Sequence, residues 1–173
     1  MALTKVIGSG LGAIPAISGA NLTGLTDGQM PAGSVLQVLQ ATNDTDVALA
    51  NNITTLSTAI ELAITPSATS SKIFIFCACA GDANGGHYRA LHWRLLRAST
   101  EIFQNNYHMY DANEQNHNIN VNHIRYLDSP STTSAVTYKL QARHMTGSSV
   151  SDTYDGYVNR YNVTVINLME IAG

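Results

Sequence analysis

Charged side chains are scarce in this sequence: Asp, Glu, Lys and Arg make up 12% of its 173 residues, about half of the usual share. A net charge of -3 without any run of Lys and Arg excludes the electrostatic footprint of a nucleic-acid-binding domain. No apolar run approaches the roughly 20 positions that a membrane-spanning helix requires, so membrane insertion is not expected. Thr, Ser, Asn and Gly replace the missing charge, which suits β-strands and surfaces that assembly buries.

Cysteine is nearly absent as well, with Cys77 and Cys79 as the two copies. Two residues apart on a strand, their side chains point to the same face roughly 7 Å from each other, which is awkward for a disulfide. One C-x-C pair also offers too few ligands for a metal site. The pattern predicts two small buried thiols.

Motifs for catalysis are missing too. Ser99, Ser129 and Ser134 lie in no nucleophile-elbow motif, and Asp152 and Asp155 have no apolar surroundings that would raise the pKa of a carboxyl. The sequence therefore predicts a protein that is not an enzyme and needs no cofactor. A depolymerase remains the enzymatic rival, and it would require paired acids in a groove.

Residues 1–33 differ from the rest of the chain because glycines recur every few positions with single apolar residues between them. So many glycines and prolines exclude a helix. We interpret this segment as an extended arm or stalk that anchors the protein in a larger particle. The candidate anchoring residues are Leu11, Ile14, Pro15, Ile17, Leu22 and Leu25.

From residue 34 to 173 the pattern is that of β-strands. Val136, Tyr138, Leu140 and Ala142 alternate with polar residues, and this period of two predicts a half-buried strand after a turn at Asp128–Pro130. Similar segments recur between turn signals, which predicts an all-β, jelly-roll-like antiparallel β-sandwich. The predicted strands are Val35–Thr42, Ala59–Thr65, Lys72–Ala80, Ala90–Ala98, Glu101–Asn105, Asn118–Leu127, Ala135–His144, Gly156–Arg160 and Tyr161–Glu170. Lys72–Ala80 is apolar on both faces and is predicted to be central and fully covered.

Candidate binding residues fall in the middle of the chain. We expect loops at Asp82–Tyr88 and Asn105–Asn118, in which aromatic side chains with polar tips suit a binding surface. Asparagines alternate along residues 116–122, which predicts either an amide face for binding or a solvated face. The candidates are Tyr88, Tyr107, His108, Tyr110, Asn116 and Asn118. The six histidines follow no metal-site spacing, although one His from each copy could form a ring on a trimer axis.

Six segments, in order along the chain, resemble a module of bacteriophage tail fibres and other phage structural proteins, notably those of phages of cyanobacteria. They are Pro31–Val38, Ile64–Ile73, Arg94–Thr100, Tyr126–Ala135, Tyr157–Arg160 and Leu168–Gly173. Pro15–Thr26 is similar to the linker that precedes this module in longer fibres. Apart from Arg94–Thr100, residues 81–123 match nothing in the module.

The resemblance implies a virion protein, with a homotrimeric head attached to other proteins of the phage particle through the arm. A short tail fibre or fibre head that contacts a host surface glycan is the first interpretation. A capsid-decorating protein without a receptor role is the alternative.

Overall fold

The computed structural model describes residues 30–49, 56–83, 88–110, 118–146, 156–160 and 162–173, and every regular element in them is a β-strand. The strands are β1 (Val35–Asn43), β2 (Val47–Leu49), β3 (Ser57–Ile64), β4 (Lys72–Ala83), β5 (Tyr88–Arg97), β6 (Thr100–Tyr110), β7 (Asn118–Asp128), β8 (Val136–Thr146), β9 (Gly156–Val158) and β10 (Thr164–Ile171). In this part of the chain no helix has the length and apolarity needed to cross a membrane.

The strands form two antiparallel sheets. Sheet I has the order β1-β10-β4-β9-β2, with β7 on the other side of β4, and sheet II has the order β3-β8-β5-β6. If the eight long strands are numbered along the chain, the sheets read 1-8-3-6 and 2-7-4-5. First pairs with last, second with seventh, third with sixth and fourth with fifth, as in a long hairpin that is rolled into a sandwich. This is the jelly roll, and the predicted fold class is confirmed.

The core lies between the sheets, where the strands place apolar side chains at every second position. In β8, Tyr138, Leu140 and Ala142 are buried, whereas Thr137 and Lys139 are partly exposed. The sequence therefore predicted this strand and its inward face correctly. The largest fully buried side chains are those of Trp93, Tyr138, Ile64, Ile73, Ile75, Leu91, Leu95, Ile124, Leu140, Ile166 and Leu168.

Gly81 lies where β4 packs closely against β5 of the opposite sheet. A Cβ atom at this position of β4 would lie 2.3 Å from Leu91 Cδ1 and 3.2 Å from Trp93 Cζ2, both on β5 of the opposite sheet. The absence of a side chain at Gly81 thus leaves room for the side chains of Leu91 and Trp93. Any side chain here would force Leu91 to repack within a filled interior.

Three details of the predicted strands are wrong. Residues 81–83 belong to β4 rather than to a loop, because β7 and β9 continue to pair with them. Residues 106–110 extend β6, which pairs in register with β5 as far as Tyr88 and Tyr110. The predicted edge strand at Gly156 instead lies between β2 and β4.

The two cysteines are free and fully buried, as the spacing predicted. Burial raises the pKa of the Cys77 thiol to about 12, and burial followed by the neighbouring Cys77 raises the pKa of Cys79. The reactive species is the thiolate, so we expect neither thiol of the folded protein to react with a maleimide at pH 8. Both should react after denaturation in urea, which mass spectrometry can count. Rapid labelling of the folded chain would contradict this burial.

Candidate functional site

The two ends of the sandwich are formed by different strand ends. The base is the end at which the chain enters β1, and the far end is opposite, roughly 36 Å away along the twelve residues of β4 at about 3.3 Å per residue. Strands begin or end at the base with Val35, Ile64, Lys72, Arg97, Thr100, Asp128, Val136 and Ile171. They begin or end at the far end with Ser57, Ala83, Tyr88, Tyr110, Asn118, Thr146 and Gly156.

Asp128 joins the two sheets at the base. Its carboxylate accepts hydrogen bonds from Arg97 Nη1 at 3.0 and 3.1 Å and from the Tyr138 hydroxyl at 2.6 Å. Asp128 closes β7 of sheet I, whereas Arg97 and Tyr138 belong to β5 and β8 of sheet II. Arg97 also donates to the Ser129 carbonyl at 3.2 Å, which fixes the start of the next loop.

This arrangement corrects the expected role of Asp128 as a turn residue. The side chain is 7% exposed, and its hydrogen bonds reach across the sandwich to sheet II rather than to the adjoining backbone. Burial, followed by the bond to Asp128, raises the pKa of Tyr138 well above its ordinary range. The phenol therefore remains a proton donor to the carboxylate at any physiological pH.

Glu170 is a second buried carboxylate at the base, with no exposed surface. It accepts hydrogen bonds from Gln37 Nε2 at 2.5 Å, from the Ser67 backbone N–H at 2.7 Å and from the Ser67 hydroxyl at 2.6 Å. Gln37 lies on β1 and Ser67 lies in the loop between β3 and β4. Glu170 therefore connects β10 to the neighbouring strand β1 and to the loop that leads from β3 of sheet II to β4.

Burial and hydrogen bonding shift the pKa of Glu170 in opposite directions. Burial by itself raises the pKa, but the bonds from Ser67 and Gln37 stabilise the charged form and outweigh it, so that the net shift is downward. The carboxylate is therefore ionised at neutral pH. In the register, Glu170 and Asp128 both lie opposite Ile73, one on each side. Both acids already accept hydrogen bonds from the chain and act as structural anchors.

The candidate binding residues lie towards the far end. Tyr88 pairs with Tyr110, and the paired positions of β5 and β6 also include Tyr107 and His108. Asn118 begins β7 opposite Ala83, the last residue of β4. Tyr107 to Tyr110 was predicted as a loop and is part of a strand, whose backbone pairs with β5. The side chains of these residues and the whole of Asn116 lie outside the described part of the chain.

Of the alternating asparagines, Asn122 is the one whose side chain is described. It pairs with Cys79, whose side chain faces the core, and Asn122 is half-buried. The side chains of Asn118 and Asn120 and the whole of Asn116 lie outside the described part of the chain, so the amide face stays a prediction.

The predicted anchoring residues lie outside the described residues, all of them in the chain before Met30. These are Leu11, Ile14, Pro15, Ile17, Leu22 and Leu25. Their assignment stays a prediction.

The outer face of sheet I carries a feature that the sequence did not reveal. Val38, Met169, Phe74 and Leu127 occupy one row across four neighbouring strands, since each pairs with the next in the register. Val38 is 55% exposed and Leu127 is 52% exposed. We call these four residues the apolar row. On its base side it adjoins Val35, which is 52% exposed and pairs with Ile171.

Exposed apolar side chains concentrate on this sheet. In the described residues, the large hydrophobic side chains that are exposed lie in sheet I or in the segments that lead into β1 and β10; they are Met30, Val35, Val38, Val121, Leu127 and Val163. Exposed apolar residues are normal when scattered, but a contiguous group marks an interaction surface.

The outer face of sheet II is polar instead. Lys139 forms an ion pair with Glu61 at 3.2 Å, Arg94 donates to Gln141 at 2.9 Å, and Gln141 donates to Thr58 at 3.2 Å. These cross-strand pairs satisfy one another in the manner of a solvent-facing sheet. The two outer faces of the sandwich therefore differ in chemistry.

One signal in the sequence could have identified the apolar row. Lys72–Ala80 was predicted to be covered on both faces, and β4 is central in its sheet, but the structure covers only its inner face. Phe74 and Phe76 are half-buried on the outer face. Arg125 lies over the Phe76 ring at 5.8 Å from its centroid, and His123 stacks on it at 5.6 Å. A strand of a two-layer sandwich that is apolar on both faces predicts an outer contact.

The described residues contain no cluster of metal ligands and a groove of moderate size. No three His, Cys, Asp or Glu side chains there come together as ligands for an ion. A shallow groove of about 570 Å³ lies at the base between Arg97, Pro130, Thr132 and Lys139. Glu61 is the one carboxylate among its described lining residues, whereas a glycosidase uses a pair of acids.

The strand order and the two outer faces define a jelly-roll β-sandwich with one apolar outer surface. No family model and no curated protein matches the chain. Solved structures with similar folds include infectious bursal disease virus, Gx strain, at 10% identity and a TM-score of 0.48, covering 81% of this chain and 34% of that one. A VP2 subviral particle of the same virus has 12% identity and a TM-score of 0.47, with coverages of 79% and 33%. The chain spans about a third of the length of these structures, and its fold assignment rests on its own strand register.

Proposed function

We propose that this chain is a structural protein of a bacteriophage particle, a short tail fibre or fibre head that contacts the host surface. In this proposal it acts as a homotrimer without catalytic activity, held in the virion by its N-terminal segment. The supporting observation is that the two ends of the sandwich carry different residues. The chain enters at the base, whereas the candidate binding positions Tyr88, Tyr110 and Asn118 begin or end strands at the far end.

The segments that resemble the phage module support the same division. Five of the six lie at or near the base: the start of β1, the β3–β4 loop, the β5–β6 turn, the β7–β8 loop and the end of β10. They contain Arg97, Asp128 and Glu170, which hold the base together. Outside Arg94–Thr100, residues 81–123 match nothing in the module, and they include strand ends at the far end. A common scaffold with an individual tip is the arrangement expected of a receptor-binding head.

A binding tip of this kind gains from several copies. A weak contact between one head and a surface glycan becomes strong when three heads on one fibre engage together, because the second and third contacts are intramolecular. The polar aromatic and amide residues at the far end suit such a ligand.

Localisation and adsorption test the proposal. Antibodies against the purified chain should label the tail of the phage in electron micrographs, and the purified protein should compete with phage for adsorption to host cells. Tyr88→Ala and Asn118→Ala should weaken the competition, whereas Thr133→Ala at the base should not. Labelling of the shell without any effect on adsorption would instead establish the capsid-decorating alternative. Degradation of host capsule by the purified protein would contradict a noncatalytic role.

A further inference from the structure

We propose that the groove at the base of sheet II, called the base groove below, binds a neutral sugar unit of a polysaccharide. This inference goes beyond the proposed function, which places the host contact at the far end, and it does not depend on that assignment. The groove is lined by Thr137 and Lys139 of β8 and by Glu61 of the adjacent β3. The β5–β6 turn and the β7–β8 loop supply the other lining residues.

The base groove has the size of a small-molecule site, and its loops are held by hydrogen bonds. Its volume of about 570 Å³ lies within the range of about 300–1,000 Å³ that is usual for ligand pockets. The Ala98 N–H donates to the Thr137 carbonyl at 2.8 Å, and the Ser134 N–H donates to the Thr132 hydroxyl at 3.0 Å. A ligand therefore meets loops that are already ordered, which lowers the entropy cost of binding.

The charges along the base groove cancel within the chain. Lys139 pairs with Glu61 at 3.2 Å, and Arg97 donates to the carboxylate of Asp128 at 3.0 and 3.1 Å. Because each cation is matched by a carboxylate, a phosphate or carboxylate ligand would have to break an existing ion pair. Charged groups in such pairs still act as strong donors and acceptors towards neutral hydroxyl groups. The charge balance therefore favours a neutral, hydroxyl-rich ligand over an anion.

The uncharged polar side chains of the base groove are hydroxyls, those of Thr100, Thr132 and Thr137. A threonine hydroxyl can donate one hydrogen bond and accept two. Thr132 accepts from the Ser134 N–H and keeps its O–H as a donor. The Pro130 ring adds a small apolar surface beside these groups. This combination matches a sugar ring, which carries hydroxyl groups on its rim and C–H groups on its faces.

A peptide suits the base groove less well than a sugar does. Strand β8 is hydrogen-bonded to β3 on one side and to β5 on the other, so it offers no edge to which an extended peptide could add as a strand. No aromatic residue is among the described lining residues, so ring stacking does not strengthen the contact. Binding of one sugar unit to one copy should therefore be weak, and repeated units along a polysaccharide would strengthen it.

Saturation-transfer NMR on the full chain tests the assignment. The probes are methyl glucoside, methyl galactoside, methyl mannoside and N-acetylglucosamine, and at least one of them should give a saturable signal. Glu61→Gln should weaken its binding about tenfold, because it removes a charged acceptor. Thr137→Val keeps the shape of the side chain but removes the hydroxyl, and should weaken binding about fivefold.

The matched control is Thr133→Val, at an exposed position of the β7–β8 loop that does not line the groove. It should bind the sugar as the natural chain does. The Glu61 side chain is 56% exposed, so Glu61→Gln should leave the circular dichroism spectrum unchanged, and its loss of binding then reports on the groove rather than on folding.

Several results would overturn the inference. One is the absence of a saturable signal from all of these neutral sugars. Another is binding that neither Glu61→Gln nor Thr137→Val weakens, since the sugar then lies elsewhere. Preferential binding of glucuronate or inorganic phosphate would make the groove an anion site. Binding of a synthetic peptide of residues 15–26 that Glu61→Gln abolishes would make it a site for a protein segment.

Failure of this inference and failure of the proposed function are distinguishable. A chain that labels the phage tail but binds no neutral sugar in the base groove would refute the inference and leave the proposed function intact. A chain that binds sugar through Glu61 and Thr137 but labels no particle would do the reverse.

Discussion

Replacing Asp128 with alanine should lower the free energy of unfolding by about 3 kcal/mol, because it removes charge-assisted hydrogen bonds from Arg97, which is 32% exposed, and the acceptor of the buried Tyr138 hydroxyl. Arg97 would lose two hydrogen bonds and its counter-charge, and the Tyr138 hydroxyl would lose its acceptor in the core. The loss should be global because the carboxylate connects β7 of sheet I with β5 and β8 of sheet II. Urea denaturation followed by the fluorescence of Trp93, which lies in the core, would measure it.

Two companion variants separate charge from surface effects. Asp128→Asn keeps an acceptor for Tyr138 but removes the negative charge beside Arg97, so its loss should fall between those of the natural protein and the alanine variant. Glu61→Gln breaks an ion pair with Lys139 whose side chains are 56% and 32% exposed, and should cost less than about 1 kcal/mol. Equal losses for Asp128→Ala and Glu61→Gln would show that the base network contributes no more than a surface pair.

The sequence predicted most strands because burial in a sandwich follows a period of two. The alternation from Val136 to Ala142 identified both the strand β8 and its inward face. The pattern fails where polar residues form a strand through pairing alone. Asn105–Tyr110 has little alternation of apolar residues, yet it continues β6 because β5 offers a matching partner strand.

The role of Asp128 could not be read from the sequence either. Asp-Ser-Pro is a strong local turn signal, and it correctly marked the end of β7. The partners of the carboxylate, Arg97 and Tyr138, are 31 and 10 residues away and meet it only through the rolled topology. The apolar row has the same origin, since its four members come from strands that span the whole chain and become neighbours only in sheet I.

Glu170→Gln should destabilise the protein by about 3 kcal/mol at pH 7, since an amide cannot accept all the hydrogen bonds that reach the two carboxylate oxygens. One of its ends is itself a donor and would face either Ser67 or Gln37, both of which donate to the natural side chain. Ser67→Ala removes the hydroxyl but keeps the backbone N–H, and should cost about 1 kcal/mol. Thr69→Ala, at an exposed position in the same loop, should have no measurable effect.

The cost of Glu170→Gln should also depend on pH in a predictable direction. The folded protein holds the pKa of Glu170 below its ordinary value of 4.5, so the unfolded chain takes up this proton first as the pH falls. The stability that the carboxylate contributes is thus fully present above about pH 4.5 and is lost as the pH drops through the lower folded-state pKa. Denaturation curves at pH 7 and in steps below pH 4.5 should show the gap between natural protein and variant narrowing in acid. A gap that stays constant or widens on acidification would mean that the hydrogen bonds from Ser67 and Gln37 do not favour the ionised form.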